Sequence, residues 1–294
     1  MKNLLSIPGI ESYTVISQIA EGYSGDDKYK LEKDGNYFLL RVGEKIHADE
    51  RRKEFERLKI YPNKDINTHK PICFGTTVDR FYSIVSWVDG TSIMDIIKKD
   101  VSKNYYQLGK AVGYELKKFH SASKIDLKVD WQDIVQRKAD SLLENYQHMN
   151  IKFANSEQAK EYIHNNLCII SDRPQVVLHG DFHWNNCVVD NEGNVGIIDF
   201  SGIDIGDPWY EFGGILWALE YSESYANGQI DGYFDTPPME FYKVFKLYVA
   251  LYAFEHLMRH DESADVIQSR IFNARRMLNI FGEDFRLDIP IFRK

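Results

Sequence analysis

Cysteine is scarce in this chain, and the three that occur, Cys73, Cys168 and Cys187, fall in no CxxC spacing. An odd, scattered set builds neither a disulfide framework nor a cysteine-based zinc site, and it predicts a reducing, cytoplasmic setting. No run reaches the roughly 18 apolar residues that a membrane helix needs, and the N-terminal apolar stretch is too short for a signal peptide. A soluble protein with no membrane partner is expected. Internal repeats and low-complexity tracts are missing too. Positive charge is absent over one long stretch: from Pro174 to Tyr242 there is not one Lys or Arg. The formal charge of −8 for the whole chain argues against nucleic acid or anionic lipid as the main partner and suits a cationic or metal-bridged ligand better.

What is present is ample for a real core. The chain has 294 residues, 44% of them apolar and 14% aromatic, which predicts one large domain or two coupled ones. The first third reads as short strands over Tyr13 to Ile19, Lys28 to Leu31 and Tyr37 to Val42, the last two joined by the hairpin signal Asp34-Gly35-Asn36. Ala48 to Tyr61 is charged with Phe55 and Leu58 on one side, a surface helix, and strands are predicted over Ile72 to Thr76 and Phe81 to Trp87. Past Asp89-Gly90 the apolar period turns helical, with Leu108, Val112, Leu116 and Phe119 on one stripe. Further helices are predicted over Trp131 to Gln147, Ser156 to Leu167, Pro208 to Tyr225, Glu240 to Arg259 and Asp265 to Phe281. Strands are predicted over Gln175 to Leu178, Cys187 to Val189 and Val195 to Ile198. The expected class is α+β: a small antiparallel sheet lobe with one helix over residues 1–88, then a larger, mainly helical lobe over 89–294.

The densest chemical signal is Val177-Leu178-His179-Gly180-Asp181-Phe182-His183-Trp184-Asn185-Asn186, followed by a short hairpin and Ile197-Ile198-Asp199-Phe200. One apolar strand delivers Asp181 into a polar loop, Asn186 follows five positions later, and a second apolar strand ends at Asp199. Phosphoryl transfer needs a carboxylate to orient the attacking hydroxyl and oxygen ligands to hold Mg²⁺ on the phosphates. Asp181 suits the first task, Asn186 and Asp199 the second. Loops carry Asp and Asn for turn formation anyway, which explains any one of these residues but not the ordered set. A competing reading takes His179, Asp181 and His183 as ligands of a transition metal in a hydrolase, since alternate residues of an extended segment share a face. It leaves Asn186, Asp199 and the N-terminal lobe without a role, so His179 is expected to brace the loop by hydrogen bonding.

His-Gly-Asp-x-x-x-x-Asn followed by Ile-Asp-Phe resembles the aminoglycoside phosphotransferase family, relatives of protein kinases that phosphorylate small molecules. Gly206-Asp207-Pro208 and Glu211-Phe212 continue the similarity, and the order of elements extends it over nearly the whole chain. The resemblance implies a bilobal protein-kinase-like fold, ATP or GTP with Mg²⁺ as cofactors, Asp181 as catalytic base, and Asn186 and Asp199 as magnesium ligands. It implies phosphate contacts from the turn Glu21-Gly22-Tyr23-Ser24-Gly25, here Ser24 and Gly25. It also implies purine hydrogen bonds from the backbone of Ser86 and Val88 in a hinge-like segment, Ile84 to Gly90. Position 41 departs from the pattern: the family places Lys near it, and this chain has Arg41, with Glu54 as its expected partner. Arginine keeps the charge with a different geometry, so a catalytically weak nucleotide-binding relative stays open as an alternative.

The stretch without Lys or Arg contains twelve acidic residues, a charge that would attract a polycation and its magnesium. A hydroxyl-bearing cationic small molecule, first of all an aminoglycoside antibiotic, is the expected substrate; a metabolic kinase acting on choline, homoserine or a sugar is the alternative. Asp204, Glu211, Glu220 and Glu223 are the candidate substrate contacts, with Trp209, Tyr210, Trp217, Tyr221, Tyr225, Tyr233 and Phe234 as a possible pocket lining. Asp207, just before Pro208, reads instead as a helix cap. A monomer or weak dimer is expected.

Overall fold

The strands in chain order are β1 (Thr14–Ile19), β2 (Asp27–Lys33), β3 (Asn36–Glu44), β4 (Pro71–Thr76), β5 (Arg80–Ser86), β6 (Thr91–Ser92), β7 (Val176–Leu178), β8 (Cys187–Val189), β9 (Val195–Ile197) and β10 (Asp204–Gly206). The helices are α1 (Ala48–Leu58), α2 (Ile93–Lys99), α3 (Tyr106–Ala122), α4 (Trp131–His148), α5 (Ser156–Asn166), α6 (Ile215–Ala218), α7 (Glu223–Phe234), α8 (Met239–Leu257) and α9 (Ala264–Asn279). The structure is a computed structural model and describes residues 4, 6–19, 25–59, 66–122, 128–149, 151–200, 202, 204–258 and 264–293. The chain divides into two compact units, Met1–Ile93 with Asn185–Ile203, and Met94–Trp184 with Asp204–Lys294. Asn186 and Asp199 therefore group with the N-terminal sheet, and Asp181 groups with the helices.

In the first unit the five-stranded antiparallel sheet runs β1-β2-β3-β5-β4. The β2–β3 hairpin closes through two residues, Asp34 at φ 52° and Gly35 at φ 75°, the mirror-image turn that matches the right-handed twist of strands. Strand alternation then sorts the two faces. Leu31, Leu40, Val42 and Ile84 are buried with Leu4, Ile7 and Ile10 of the N-terminal segment, and Phe38 packs there edge-on against Tyr13. Arg41 and Gly43 alternate with Leu40 and Val42 and so lie on the opposite face. On α1, Phe55 packs on Phe74, which stacks on Phe81. A Cβ at Gly43 would lie 2.3 Å from Asp26 Oδ1 and 2.4 Å from the Phe81 ring, so only glycine fits there. A smaller sheet, β6-β8-β9, completes the unit. Its hairpin is fastened by Asp190, whose Oδ1 accepts from the N–H groups of Glu192 and Asn194 at 2.9 Å.

In the second unit α8 is apolar around its whole circumference and forms the core, packed against α4, α5 and α9. Beside it α3 and α7 touch through their backbones. A Cβ at Gly109 or Gly113 would lie 2.1 or 2.0 Å from the carbonyl oxygens of Tyr225 or Gln229, and at Gly228 or Gly232 2.0 Å from those of Tyr106 or Lys110. The helix expected over Pro208 to Tyr225 is replaced by a 3-10 helix, Pro208–Gly214, the short α6, and a separate α7. Asp207 starts the first by accepting from Trp209 N–H at 3.0 Å, as a cap should, and Ser222 starts α7 by accepting from Tyr225 N–H. Gly213-Gly214 weakens helical continuity between them. Two interior glycines also hide the helical character of α7 from a propensity reading, although they are what lets it meet α3.

Candidate active site

Strand β7 pairs with β10 through Leu178 and Asp204 and delivers the chain into the His179–Trp184 loop. His179 is fully buried, its ring edge-on to Phe119 and Phe182. Its Nδ1 accepts the Asp181 N–H at 3.3 Å, so the histidine does brace the loop. Glu211 supplies the other fastening: Oε2 accepts from His179 N–H at 2.9 Å and Oε1 from Gly180 N–H at 2.8 Å, with His120 Nε2 3.3 Å from Oε2. Burial alone would push the Glu211 carboxyl up, but the His120 hydrogen bond and the nearby His120 and His179 rings outweigh it, and the group is held below its ordinary value. A Cβ at Gly214 would lie 1.8 Å from the Phe182 carbonyl oxygen, so the 3-10 helix abuts the loop directly. Asp181 itself stands on this frame with its carboxylate 55% exposed and 3.5 Å from His183 Nε2.

The 3-10 helix is anchored in turn. Asp207 is fully buried and receives Arg173 Nε at 3.0 Å, Arg173 Nη2 at 3.2 Å and the Tyr248 hydroxyl at 2.8 Å, and the Arg173 guanidinium lies over the Trp209 ring. These bonds correct the substrate role expected for Glu211. It is 3% exposed, and its oxygens are taken up by the loop backbone and His120. The acidic stretch as a whole is also altered by folding. Cations from outside it sit on its acids: Arg173 on Asp207 and Glu240, Arg276 on Glu220 and Arg293 on Asp231. Asp204 and Glu223 are exposed, and Glu220 is paired with Arg276 at 3.3 Å. Several of the aromatics expected to line a pocket are interior packing instead: Trp209 and Phe234 contact each other and Phe241, and Tyr225 is 1% exposed.

In the first unit, Asn186 is buried just ahead of β8, and its carbonyl accepts from Ile198 N–H at 2.9 Å. Asp199 follows at φ 62°, a left-handed conformation that costs a non-glycine residue on the order of 1 kcal/mol. That carboxylate lies 3.7 Å from Arg41 Nη2. Arg41 also stands 3.7 Å from Glu54 and 3.9 Å from Asp26, so it reaches the partner expected of it. Arg51, absent from the sequence reading, holds Glu54 far more closely, at 2.8 and 3.0 Å, and Asp26 at 3.1 Å. The i,i+3 spacing of Arg51 and Glu54 on α1 was the available signal. Burial pushes the Glu54 carboxyl up in spite of both arginines. The oxygen donors of Asn186 and Asp199 fit Mg²⁺, which keeps water and phosphate oxygens in its shell and needs few protein ligands. Among the described residues no group of three or more His, Cys, Asp or Glu gathers into a cage of its own.

Ser24 lies outside the described residues; Gly25 is described, at φ 67°. At the hinge-like segment the backbone of Ser86 is engaged internally. Its N–H donates to Lys70 O at 2.8 Å, and its carbonyl lies 2.8 Å from His69 Nδ1. That internal pairing corrects the expectation of a purine contact there. Burial holds the His69 pKa down, so the neutral ring donates to Ser86. Among the described residues nothing hydrogen-bonds the backbone of Val88.

A sheet unit with one helix ahead of a larger helical unit is the bilobal protein-kinase-like fold. Among solved structures the chain is similar to the aminoglycoside phosphotransferase APH(4)-Ia, with a TM-score of 0.72 and 17% identity over 94% of this chain and 96% of that one. It is similar too to a thermostable mutant of that enzyme in ternary complex with ADP and hygromycin B, at 0.70 and 17% over 94% and 97%. The gentamicin complex of APH(2'')-IIa gives 0.62 and 17% over 90% and 93%. No curated protein matches by sequence. The profile of the phosphotransferase enzyme family matches residues 15–242. The chain belongs to that family and is a small-molecule kinase, a phosphotransferase with an alcohol group as acceptor.

Proposed function

We propose that this kinase moves the γ-phosphoryl group of ATP or GTP to a hydroxyl of a small cationic molecule of the aminoglycoside type. The observation behind the reading is the Asp181 loop: an exposed carboxylate carried on a backbone whose two preceding N–H groups are fixed by a buried glutamate. In the proposed step the acceptor oxygen bonds to the γ-phosphorus and its proton passes to Asp181. The bond to the bridging oxygen breaks, and the nucleoside diphosphate departs. Asn186 and Asp199 hold Mg²⁺, which when bound neutralises charge on the phosphate oxygens. A cation on the sheet face that carries Arg41 steadies the phosphates, and the Val88 backbone hydrogen-bonds the purine.

The aminoglycoside assignment is supported by the hygromycin B and gentamicin complexes of the structural neighbours. A second reading, a metabolic kinase for choline, homoserine or a sugar, is favoured by the cations that neutralise much of the acidic stretch. A coupled turnover screen with ATP and GTP over aminoglycosides, macrolides, choline and amino alcohols separates the two. Stimulation by aminoglycosides is expected, and stimulation by metabolites alone overturns the antibiotic assignment. Turnover with any acceptor excludes a third reading, a nucleotide-binding relative that has lost transfer.

A further inference from the structure

Lys28 stands directly opposite Arg41 in the β2–β3 register, so the two side chains leave the same face of the sheet. Like charges in that relation cost stability unless an anion is shared between them. Around them lie three carboxylates, Asp26, Glu54 and Asp199, and a second guanidinium, Arg51. The two arginines balance Asp26 and Glu54, which they contact at 2.8 to 3.9 Å. That count leaves one carboxylate and one ammonium over: Asp199 for a cation, Lys28 for an anion. Lys28 is half-buried, and among the described residues its ammonium has no hydrogen bond and no ion pair within 4 Å. Burial, then the charge of Arg41, holds its pKa below the ordinary lysine value, with Asp199 and Asp26 acting against them.

We propose that Lys28, on the strand beside the one where the family places its lysine, is the ammonium that grips the nucleotide phosphates in this chain, while Arg41 is held chiefly by its three carboxylates. The proposal rests on the phosphotransferase reading above and assigns the phosphate contact within it. A compact ammonium meets a phosphate oxygen as a point charge from any direction. The Arg41 guanidinium stands 3.7 to 3.9 Å from three carboxylates, which compete with a phosphate for its charge. The departure at position 41 is then a relocation of the phosphate cation by one strand, not its loss.

The test is an affinity ladder on the full chain. Binding of adenosine, ADP and ATP with Mg²⁺, and of the guanosine series, is measured by calorimetry for wild type, Lys28→Met, Lys28→Arg and Arg41→Met. Lys28→Met is expected to lose at least tenfold of the affinity gained from nucleoside to triphosphate while binding the nucleoside as wild type does. Lys28→Arg should restore most of that gain. Without nucleotide Lys28→Met should melt no lower than wild type, because a like-charge pair has been removed; with nucleotide its thermal shift should be smaller. An unchanged ladder in Lys28→Met, with the gain lost in Arg41→Met instead, overturns the assignment and leaves the kinase reading standing. A wild-type chain that binds neither series overturns both.

Discussion

In the helical unit one buried carboxylate grips the His179–Gly180 backbone with bonds of 2.8 and 2.9 Å, whereas in the sheet unit the Arg41 guanidinium stands 3.7 to 3.9 Å from each of three carboxylates. The partners differ as much as the distances. Glu211 binds main-chain N–H groups, which cannot swing away without refolding the loop, and it does so in a buried place where an unmade bond is expensive. Arg41 binds side-chain carboxylates, which have rotamers to spare and a second arginine to share. The first arrangement fixes a geometry before any ligand arrives. The second leaves its side chains slack.

Replacing Asp181 by Ala removes the group presented by the fixed loop. Turnover should fall about 1000-fold or more with nucleotide affinity nearly unchanged, read from a coupled assay and a binding titration. Persisting turnover would reduce the loop to a structural feature. Replacing Glu211 by Ala tests the grip itself. Two buried N–H groups lose their acceptor, and about 3 kcal/mol of stability should disappear in urea unfolding, together with part of kcat. Because the folded-state pKa of Glu211 is depressed, its contribution is present above the ordinary carboxylate value of 4.5 and is lost as pH falls through the folded value. Wild type should therefore lose stability more steeply than Glu211→Gln below that pH. The smallest effect is expected at Arg41→Lys, where loosely spaced contacts change by about 0.5 kcal/mol and kcat/KM by less than about fivefold. A hundredfold loss there would show that the cluster has no slack.

Much of this was legible in the sequence because it is local. The Asp34-Gly35 turn, the apolar run from Tyr37 to Val42, the cap at Asp207 and the run from His179 to Asn186 each express themselves within a few residues. The bracing of the His179–Trp184 loop by His179 was legible, but the share of Glu211 in it was not. Glu211 lies 31 residues beyond Gly180, and in a linear reading it counted as one more acid in a stretch without cations. The same stretch shows why sequence charge misleads: Arg173, Arg276 and Arg293 all lie outside it and are brought onto its acids only by the fold. Lys28 escaped notice for a related reason, since its position opposite Arg41 exists only once the hairpin register is set. The helix α7 was hidden by composition, because glycine at 228 and 232 speaks against a helix to any reading that weighs residues singly.

Those glycines make α3 and α7 an unusual joint. Two helices that meet through side chains can absorb thermal motion by exchanging rotamers, each side chain moving a little on its own. Where main chain lies on main chain there is nothing small enough to move alone, and the pair shifts as one plank or not at all. Tyr106 hydrogen-bonds Asp231 across that joint, and Arg293 ties the C-terminal end of the chain to the same carboxylate. Arg293 is thereby tied to both helices of that pair, and whatever pulls on it is met by the two together.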